Sequence, residues 1–353
     1  MRVLVATQTF DRSEEALYKG LFELGHDVTV ACSPDAPGQD RLSAAGLRVN
    51  PIEIKHRLDG NASRNMEGLL DKLGINLVYA SSNVAVATAL RATRRLQIPV
   101  VGYRGTLGHI SRLDPASWLT FLNPRLAHIV CVSDAVREYL ASRGIEERKL
   151  VTIYKGHDPE WYDHIAPFDL RDEGVPADAG TIVFAGSVRP VKGIPFLLDA
   201  LEAIPGGLDP HLLLLGQLRD PHAVRRIRRS GGRCHCLGHR DDVLSLVAAC
   251  DVFALPSVAR EGLPRAVIEA MCLGTPPVVT DVGGLPELVE DGVSGRVVPP
   301  RDPQAMAAAI TVLLQDEGKR HGCAKNARER IATRFHIKDT IARTAQLFEE
   351  ALS

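Results

Sequence analysis

Short apolar runs of strand length, each followed by a stretch with helical periodicity, recur along the whole chain, and this alternation limits the fold more than any other feature. In the first half the runs fall at residues 3–6, 28–31, 77–80, 100–103 and 129–132, with 151–153 closing the series. A second series falls at 181–185, 212–215, 252–255, 278–280 and 296–298. Helical patterns lie between them at 13–24, 194–203, 241–249, 264–272 and 303–315, the first ended by Gly25. Continuous apolar strands alternating with helices are the signature of βαβ units on a parallel sheet covered on both faces. A glycine just past a helix supplies the left-handed residue that ends it.

The fold class read from this pattern is α/β, with two Rossmann-like, doubly wound domains. A length of 353 residues is about twice a usual single domain, which agrees with two cores. Residues 155–176, rich in Asp, Pro, Gly and aromatics without clear period, read as a linker. The boundaries are therefore set at 1–160 and 161–337, and 338–353 is an amphipathic helix expected to pack back on the first domain. Open parallel sheets bind ligands at the carboxyl ends of their strands, so function is expected in a cleft between two facing domains.

Charge excludes one large class. With 42 basic and 43 acidic residues the formal net charge is −1, and no general attraction for nucleic acid follows. Any anion site must be local. The first ten residues, MRVLVATQTF, lack the charged and long apolar regions of a signal peptide, and no apolar run approaches the roughly 20 residues of a membrane span. Seven cysteines, most in apolar runs, fit a reducing cytoplasm better than a disulfide framework. Cys234-His235-Cys236 has no second pair and reads as structural, so no metal site is expected.

The segment from Arg260 to Met271 carries the most chemistry. Pro264 suits the first helical position, because its fixed φ is right and its missing N–H is not needed there. A helix starting near Pro264 turns the backbone N–H groups of Arg265 and Ala266 toward an anion at the positive end of the dipole. Glu261 falls in the loop before this helix and Glu269 inside it. Carboxylates beside an anion site suit hydroxyl groups on either side of it better than the anion itself. Ordinary acidic residues near a helix start would look the same.

Two further strand-to-helix turns join this one. Gly186-Ser187-Val188-Arg189-Pro190-Val191-Lys192-Gly193 follows the strand at 181–185 and offers two cations, which a diphosphate or plain solvent would satisfy. Asp281-Val282-Gly283-Gly284-Leu285-Pro286-Glu287 is a third strand end with a glycine turn. These turns, in this order, resemble the retaining glycosyltransferases of family 4, which have the GT-B architecture of two facing Rossmann-like domains. The similarity runs from the first strand to Val298, with Val132-Ser133-Asp134 and Lys155-Gly156-His157-Asp158 matching motifs at the end of the first domain.

The resemblance implies roles by position. Glu261 and Glu269 match the family's E-x7-E motif, the first contacting the donor sugar and the second the nucleotide ribose. Arg189 and Lys192 match its diphosphate-binding pair. Gly186, Gly262, Leu263, Arg265 and Ala266 line the donor, and the base rests on the turn containing His239 and Arg240. The first domain departs from the family. Thr9 and Phe10 stand where a glycine pair is common, and Arg104 or His109 stands in for the usual histidine. Thr9, Phe10 and Arg104 are placed on the acceptor side and His109 among the catalytic groups.

The implied activity is retaining transfer of a glycosyl group from a nucleotide-diphosphate sugar to a hydroxyl of a glycan or lipid-linked acceptor. No D-x-D sequence occurs, so the expectation is metal-independent transfer without a cofactor, the leaving group being held by Arg189, Lys192 and the helix start. A nucleotide-sugar epimerase is the alternative. A dinucleotide oxidoreductase is disfavoured, because Thr7-Gln8-Thr9-Phe10 replaces G-x-G-x-x-G after the first strand. The apolar stretch 118–122 with Arg125 reads as core, or else as a peripheral contact with the cytoplasmic membrane or a lipid-linked acceptor. The basic run 225–229 reads as a solvated helix face. Oligomeric state is not legible.

Overall fold

The computed structural model describes residues 1–227 and 230–353. The chain divides into two compact units, Met1–Gly156 with Phe335–Ser353, and His157–Arg334.

In the first unit β1 (Arg2–Ala6), α1 (Arg12–Glu23), β2 (Asp27–Cys32), α2 (Gln39–Ala44), β3 (Arg48–Pro51), α3 (Gly60–Leu73) and β4 (Leu77–Ala80) come first. They are followed by α4 (Asn83–Ala92), β5 (Val100–Arg104), α5 (Pro115–Trp118), β6 (Leu126–Cys131), α6 (Asp134–Ser142) and β7 (Leu150–Thr152). The seven strands form one parallel sheet in the order β3-β2-β1-β4-β5-β6-β7. Its central strands are buried along their length, which is why they read as unbroken apolar runs. The helix after β1 starts where Asp11 accepts from the Glu14 N–H while Glu14 accepts from the Asp11 N–H, a reciprocal cap. This cap occupies the loop in which family members commonly carry glycines.

The second unit runs β8 (Thr181–Ala185), α7 (Ile194–Ala203), β9 (His211–Leu215), α8 (Pro221–Ile227), β10 (Cys234–Gly238), α9 (Val243–Ala248) and β11 (Val252–Leu255). It continues with α10 (Arg265–Leu273), β12 (Pro277–Thr280), α11 (Leu285–Leu288), β13 (Arg296–Val298), α12 (Pro303–Gln315) and α13 (Glu317–Arg334). Its parallel sheet has the order β10-β9-β8-β11-β12-β13. The strands that sequence patterning misses, β3 and β10, are the outermost strands of their sheets, with sequences RVNP and CHCLG. An edge strand has less apolar cover and so leaves a weaker pattern. In α8 Arg226 pairs with Asp199 of α7, so that part of the basic run is not simply solvated. Arg228 and Arg229 of the same run lie outside the described residues.

The last helix, α14 (Ile337–Leu352), packs on α1 of the first unit. Gly20 makes this approach close, since a Cβ there would lie 2.3 Å from Ile341 Cδ1. Phe348 is fully buried with its ring 5.4 Å from that of Tyr79 on β4.

The division falls at 156/157 and 334/335 rather than at 160/161 and 337/338. Phe335 already packs its ring 4.8 Å from Tyr154, and a Cβ at Gly156 would meet Thr340 Oγ1 at 2.3 Å, so both residues belong to the first core. The stretch read as a linker carries short 3-10 turns at Pro159–Tyr162 and Leu170–Glu173. It is tied to the second unit by Arg328 donating to the Pro159 carbonyl (3.1 Å) and Phe168 N–H to the Ser245 carbonyl (3.0 Å). Among the described residues no helix is long and apolar enough to cross a membrane.

Candidate active site

In the second unit the order in which the chain adds parallel strands reverses at β8, which has β9 on one side and β11 on the other. Such a switch point leaves a crevice at the carboxyl ends of the strands. The three turns singled out in the sequence all leave this edge, from the adjacent strands β8, β11 and β12.

Backbone contacts lock the turns together. Gly193 has φ +68°, and a Cβ on it would lie 2.1 Å from the Pro256 carbonyl oxygen, so only glycine lets the turn after β8 lie against the turn after β11. Val258 N–H donates to the Val191 carbonyl at 2.9 Å across the same junction. On the β12 side, Thr280 Oγ1 donates to the Ser257 carbonyl (2.6 Å) and Gly284 N–H reaches the Glu261 carbonyl (3.4 Å).

Glu261 sits where these turns converge. It is 7% exposed, and its Oε1 accepts from Lys192 Nζ at 2.7 Å and from Ser257 Oγ at 2.5 Å. Lys192 is itself mostly buried, so each charge is desolvated and neutralised by the other. Ser257 is fully buried and was missed as a site residue. Its only sequence signal is a small polar residue two positions past an apolar strand. Arg260, next to Glu261, holds φ +67°, an uncommon conformation for a residue with a side chain.

The helix beyond differs in detail from the sequence reading. Pro264 is not the first helical residue but the residue before it, with φ −70° and ψ 121°, and α10 begins at Arg265. The extended ψ places the proline in the capping position, and no side chain caps this end. Glu269 lies one turn in, with Arg265 Nε 3.3 Å from its Oε1, an i,i+4 pair. Gly262 and Leu263 are buried and Ala266 is half-buried at the helix start.

Other expected donor groups are placed differently. Gly186 ends β8 with φ +144°, and a Cβ on the neighbouring Gly216 would lie 2.2 Å from its carbonyl oxygen, so the two glycines cross closely. Arg189 is exposed at the head of the short 3-10 turn Pro190–Lys192. The turn with His239 and Arg240 follows β10, two strands from β8. His239 is exposed. Arg240 is taken up by Glu173 (2.7 Å) and Asp242 (2.7 Å), with its guanidinium 5.5 Å from the Phe168 ring centre.

In the first unit, Thr9 is exposed, its carbonyl accepting from Thr7 Oγ1 at 2.6 Å. Phe10, expected on the acceptor side, is buried. Its side chain is 6% exposed in the core with its ring 5.9 Å from Tyr18, because an aromatic ring next to the α1 cap gains more from burial than from solvent. Arg104 is likewise buried, donating to the Thr106 carbonyl (2.9 Å) and Asn83 Oδ1 (2.9 Å) beneath the Phe121 ring. Burial pulls its pKa below the ordinary guanidinium value, with the nearby Arg57 charge acting in the same direction. His109 is exposed in the loop that follows β5.

Comparison with known proteins places this geometry. Residues 12–161 match the family described as Glycosyltransferase Family 4, and residues 179–316 the one described as Glycosyl transferases group 1. The chain is 31% identical to the phosphatidyl-myo-inositol mannosyltransferase of Mycolicibacterium smegmatis, across 88% of this chain and 82% of that protein. It is 32% identical to a D-inositol 3-phosphate glycosyltransferase of Xylanimonas cellulosilytica over 63% of this chain, spanning 58% of that relative's length. Among solved structures, Anabaena HepE in complex with UDP superposes with TM-score 0.80 at 23% identity, covering 99% of this chain and 100% of that one. A Rickettsia africae glycosyltransferase superposes with TM-score 0.84 at 18% identity, covering 100% and 98%. Fold and matched segments define an enzyme of the glycosyltransferase class with GT-B architecture. The chain belongs to glycosyltransferase family 4.

Proposed function

We propose that the protein transfers a glycosyl group, with retention of anomeric configuration, from a nucleotide-diphosphate sugar to a hydroxyl of a glycan or lipid-linked acceptor. The observation that carries this reading is the buried Lys192–Glu261 pair at the switch point, beside the uncapped start of α10. A diphosphate at that helix start meets backbone N–H groups and the positive dipole end. Lys192 then has a second anion within reach, and Glu261 is released to accept from a sugar hydroxyl. Glu269, one turn along α10, serves the ribose hydroxyls in the same manner. Arg189, exposed at the turn, supplies the second cation for the departing diphosphate.

The donor class is supported by relatives of the same fold, HepE having been solved with UDP and with UDP-glucose. In this reading the leaving phosphate takes the acceptor proton, and no divalent ion is required because cations and dipole together offset the developing charge. On the acceptor side Thr9 is exposed while Phe10 and Arg104 are buried, and His109, read as a catalytic group, is exposed in the loop after β5. Thermal shift against nucleoside diphosphates and their sugars tests donor recognition, since a ligand of the native state raises the Tm. Proton NMR of the product's anomeric signal tests retention, and turnover unchanged by EDTA tests metal independence. An inverted product or loss of turnover with EDTA would refute the corresponding part.

A further inference from the structure

The two cysteines of β10, read as structural from sequence alone, lie apart from the residues assigned to transfer. β10 is the edge strand of its sheet and pairs with β9, Cys234 opposite Leu212, His235 opposite Leu213 and Cys236 opposite Leu214. Side chains alternate along a strand, so the two cysteines share one face and His235 takes the other. The alternation is visible at His235, whose Nε2 lies 2.8 Å from Nδ1 of His211 at the start of β9. Cys236 is exposed and Cys234 partly so, whereas Cys32, Cys131, Cys250, Cys272 and Cys323 are buried.

The two thiols act on each other. Cys234 donates to the Cys236 sulfur, which draws the Cys236 pKa down to about 7 against the opposing effect of burial. The same hydrogen bond, together with burial, pushes the Cys234 pKa far up and keeps it a thiol. In the buried cysteines burial raises the pKa, so none of them offers a comparable thiolate. Two steps along a strand span about 6.6 Å, near the upper end of the Cα separations that a disulfide bridges. An edge strand with one neighbour can yield to that contraction, and the β9–β10 register already shifts between Cys236 and Gly238.

We propose that Cys236 and Cys234 form a hydroperoxide-sensitive dithiol, Cys236 being the sulfur that is oxidised and Cys234 the one that resolves it. In the first step the Cys236 thiolate attacks one oxygen of the hydroperoxide. An S–O bond forms, the O–O bond breaks, and the other oxygen leaves as water or an alcohol, taking up the proton that Cys236 had given to solvent. In the second step the Cys234 sulfur attacks the sulfenic sulfur, the S–S bond forms, and hydroxide leaves with the Cys234 proton as water. The dithiol loses two electrons and the hydroperoxide gains them. The bridge tightens β10 just before Gly238, whose carbonyl accepts from the Gly216 N–H at 2.6 Å. Gly216 lies against Gly186, so oxidation loosens an amide beside the turn that carries Lys192. No sugar nucleotide enters the test, so the dithiol stands or falls apart from the donor reading.

The test is intact-mass measurement and peptide mapping of the full chain treated with hydrogen peroxide. Wild type is expected to lose the mass of two hydrogens in the peptide that holds Cys234 and Cys236, and to regain it with dithiothreitol. Cys236→Ser should lose this response. Cys234→Ser should instead gain one oxygen at Cys236, captured by dimedone as a sulfenic acid. A wild-type Tm in both variants shows that a lost response is not lost folding, and mapping of the wild-type chain decides the point without them. Hydrogen exchange at the Gly216 amide should quicken on oxidation and slow again on reduction. No mass change, a bridge mapped to other cysteines or between two chains, or a wild-type response from Cys236→Ser would overturn the dithiol. Unchanged exchange at Gly216 would overturn its link to the Gly186 turn.

Discussion

Lys192 Nζ lies 2.7 Å from Glu261 Oε1, although 69 residues separate them in the chain. The pair joins the turn after β8 to the turn after β11, and both charges are shielded from water. The contact holds the two side chains together where the turns meet. Glu261→Gln keeps the shape of the site but removes the charge. Transfer is expected to fall on the order of a hundredfold, as when a preorganised electrostatic group is lost. Steady-state kcat with a responsive donor checks this, and wild-type turnover would defeat the assignment.

Glu269→Ala is expected to act differently. The residue lies inside α10 and pairs with Arg265, away from the Lys192 contact. Removing it should raise KM for the donor several-fold while kcat changes less, the pattern of lost ground-state binding. Donor titrations of both kinetic constants separate this from a catalytic loss.

Gly193→Ala tests the junction of the two turns. The added Cβ meets the Pro256 carbonyl oxygen at 2.1 Å on a residue with φ +68°. The left-handed backbone alone costs about 1–2 kcal/mol, and the clash adds to it. A lower Tm with loss of transfer is expected. Gly207→Ala, with nothing within 4 Å of the added atom, is the control and should leave both unchanged.

Phe348→Ala probes the return of the last helix to the first unit. Phe348 is fully buried against Tyr79, so truncation is expected to cost about 3–5 kcal/mol. Chemical denaturation followed by fluorescence reads the loss.

A pH dependence follows from Glu15 on α1. Burial alone would raise its pKa, but the hydrogen bonds and charges of Arg41 and Lys19 outweigh burial and leave it below the ordinary value of 4.5. A carboxylate depressed in the folded state contributes stability that is fully present above its unfolded pKa and is lost as pH falls through the folded one. Wild-type Tm should therefore decline below about pH 4.5. Glu15→Gln should lower Tm at pH 7 and show a shallower decline in acid.

Much of this molecule is legible without coordinates, because the relevant code is local. Apolar runs bounded by Gly and Pro mark the central strands of both sheets, and the strand-turn-helix segments at Gly186, Glu261 and Gly283 mark where a ligand would meet a sheet edge. The outer strands β3 and β10 escape because an edge strand has fewer neighbours to select apolar residues. Pro264 falls one place from its expected position because a proline suits both the cap and the first turn, and only its ψ distinguishes them.

Side-chain partners belong to the other category. That Lys192 and Ser257 both donate to Glu261, that Phe10 turns into the core, and that Arg240 is spent on Glu173 and Asp242 all depend on which elements lie side by side. The sequence by itself determined two parallel α/β units and the strand-to-helix turns of the candidate site, since strand burial and turn chemistry act over a few residues. Tertiary structure alone decided which charges those turns bring together, because sheet order joins residues that the chain keeps far apart.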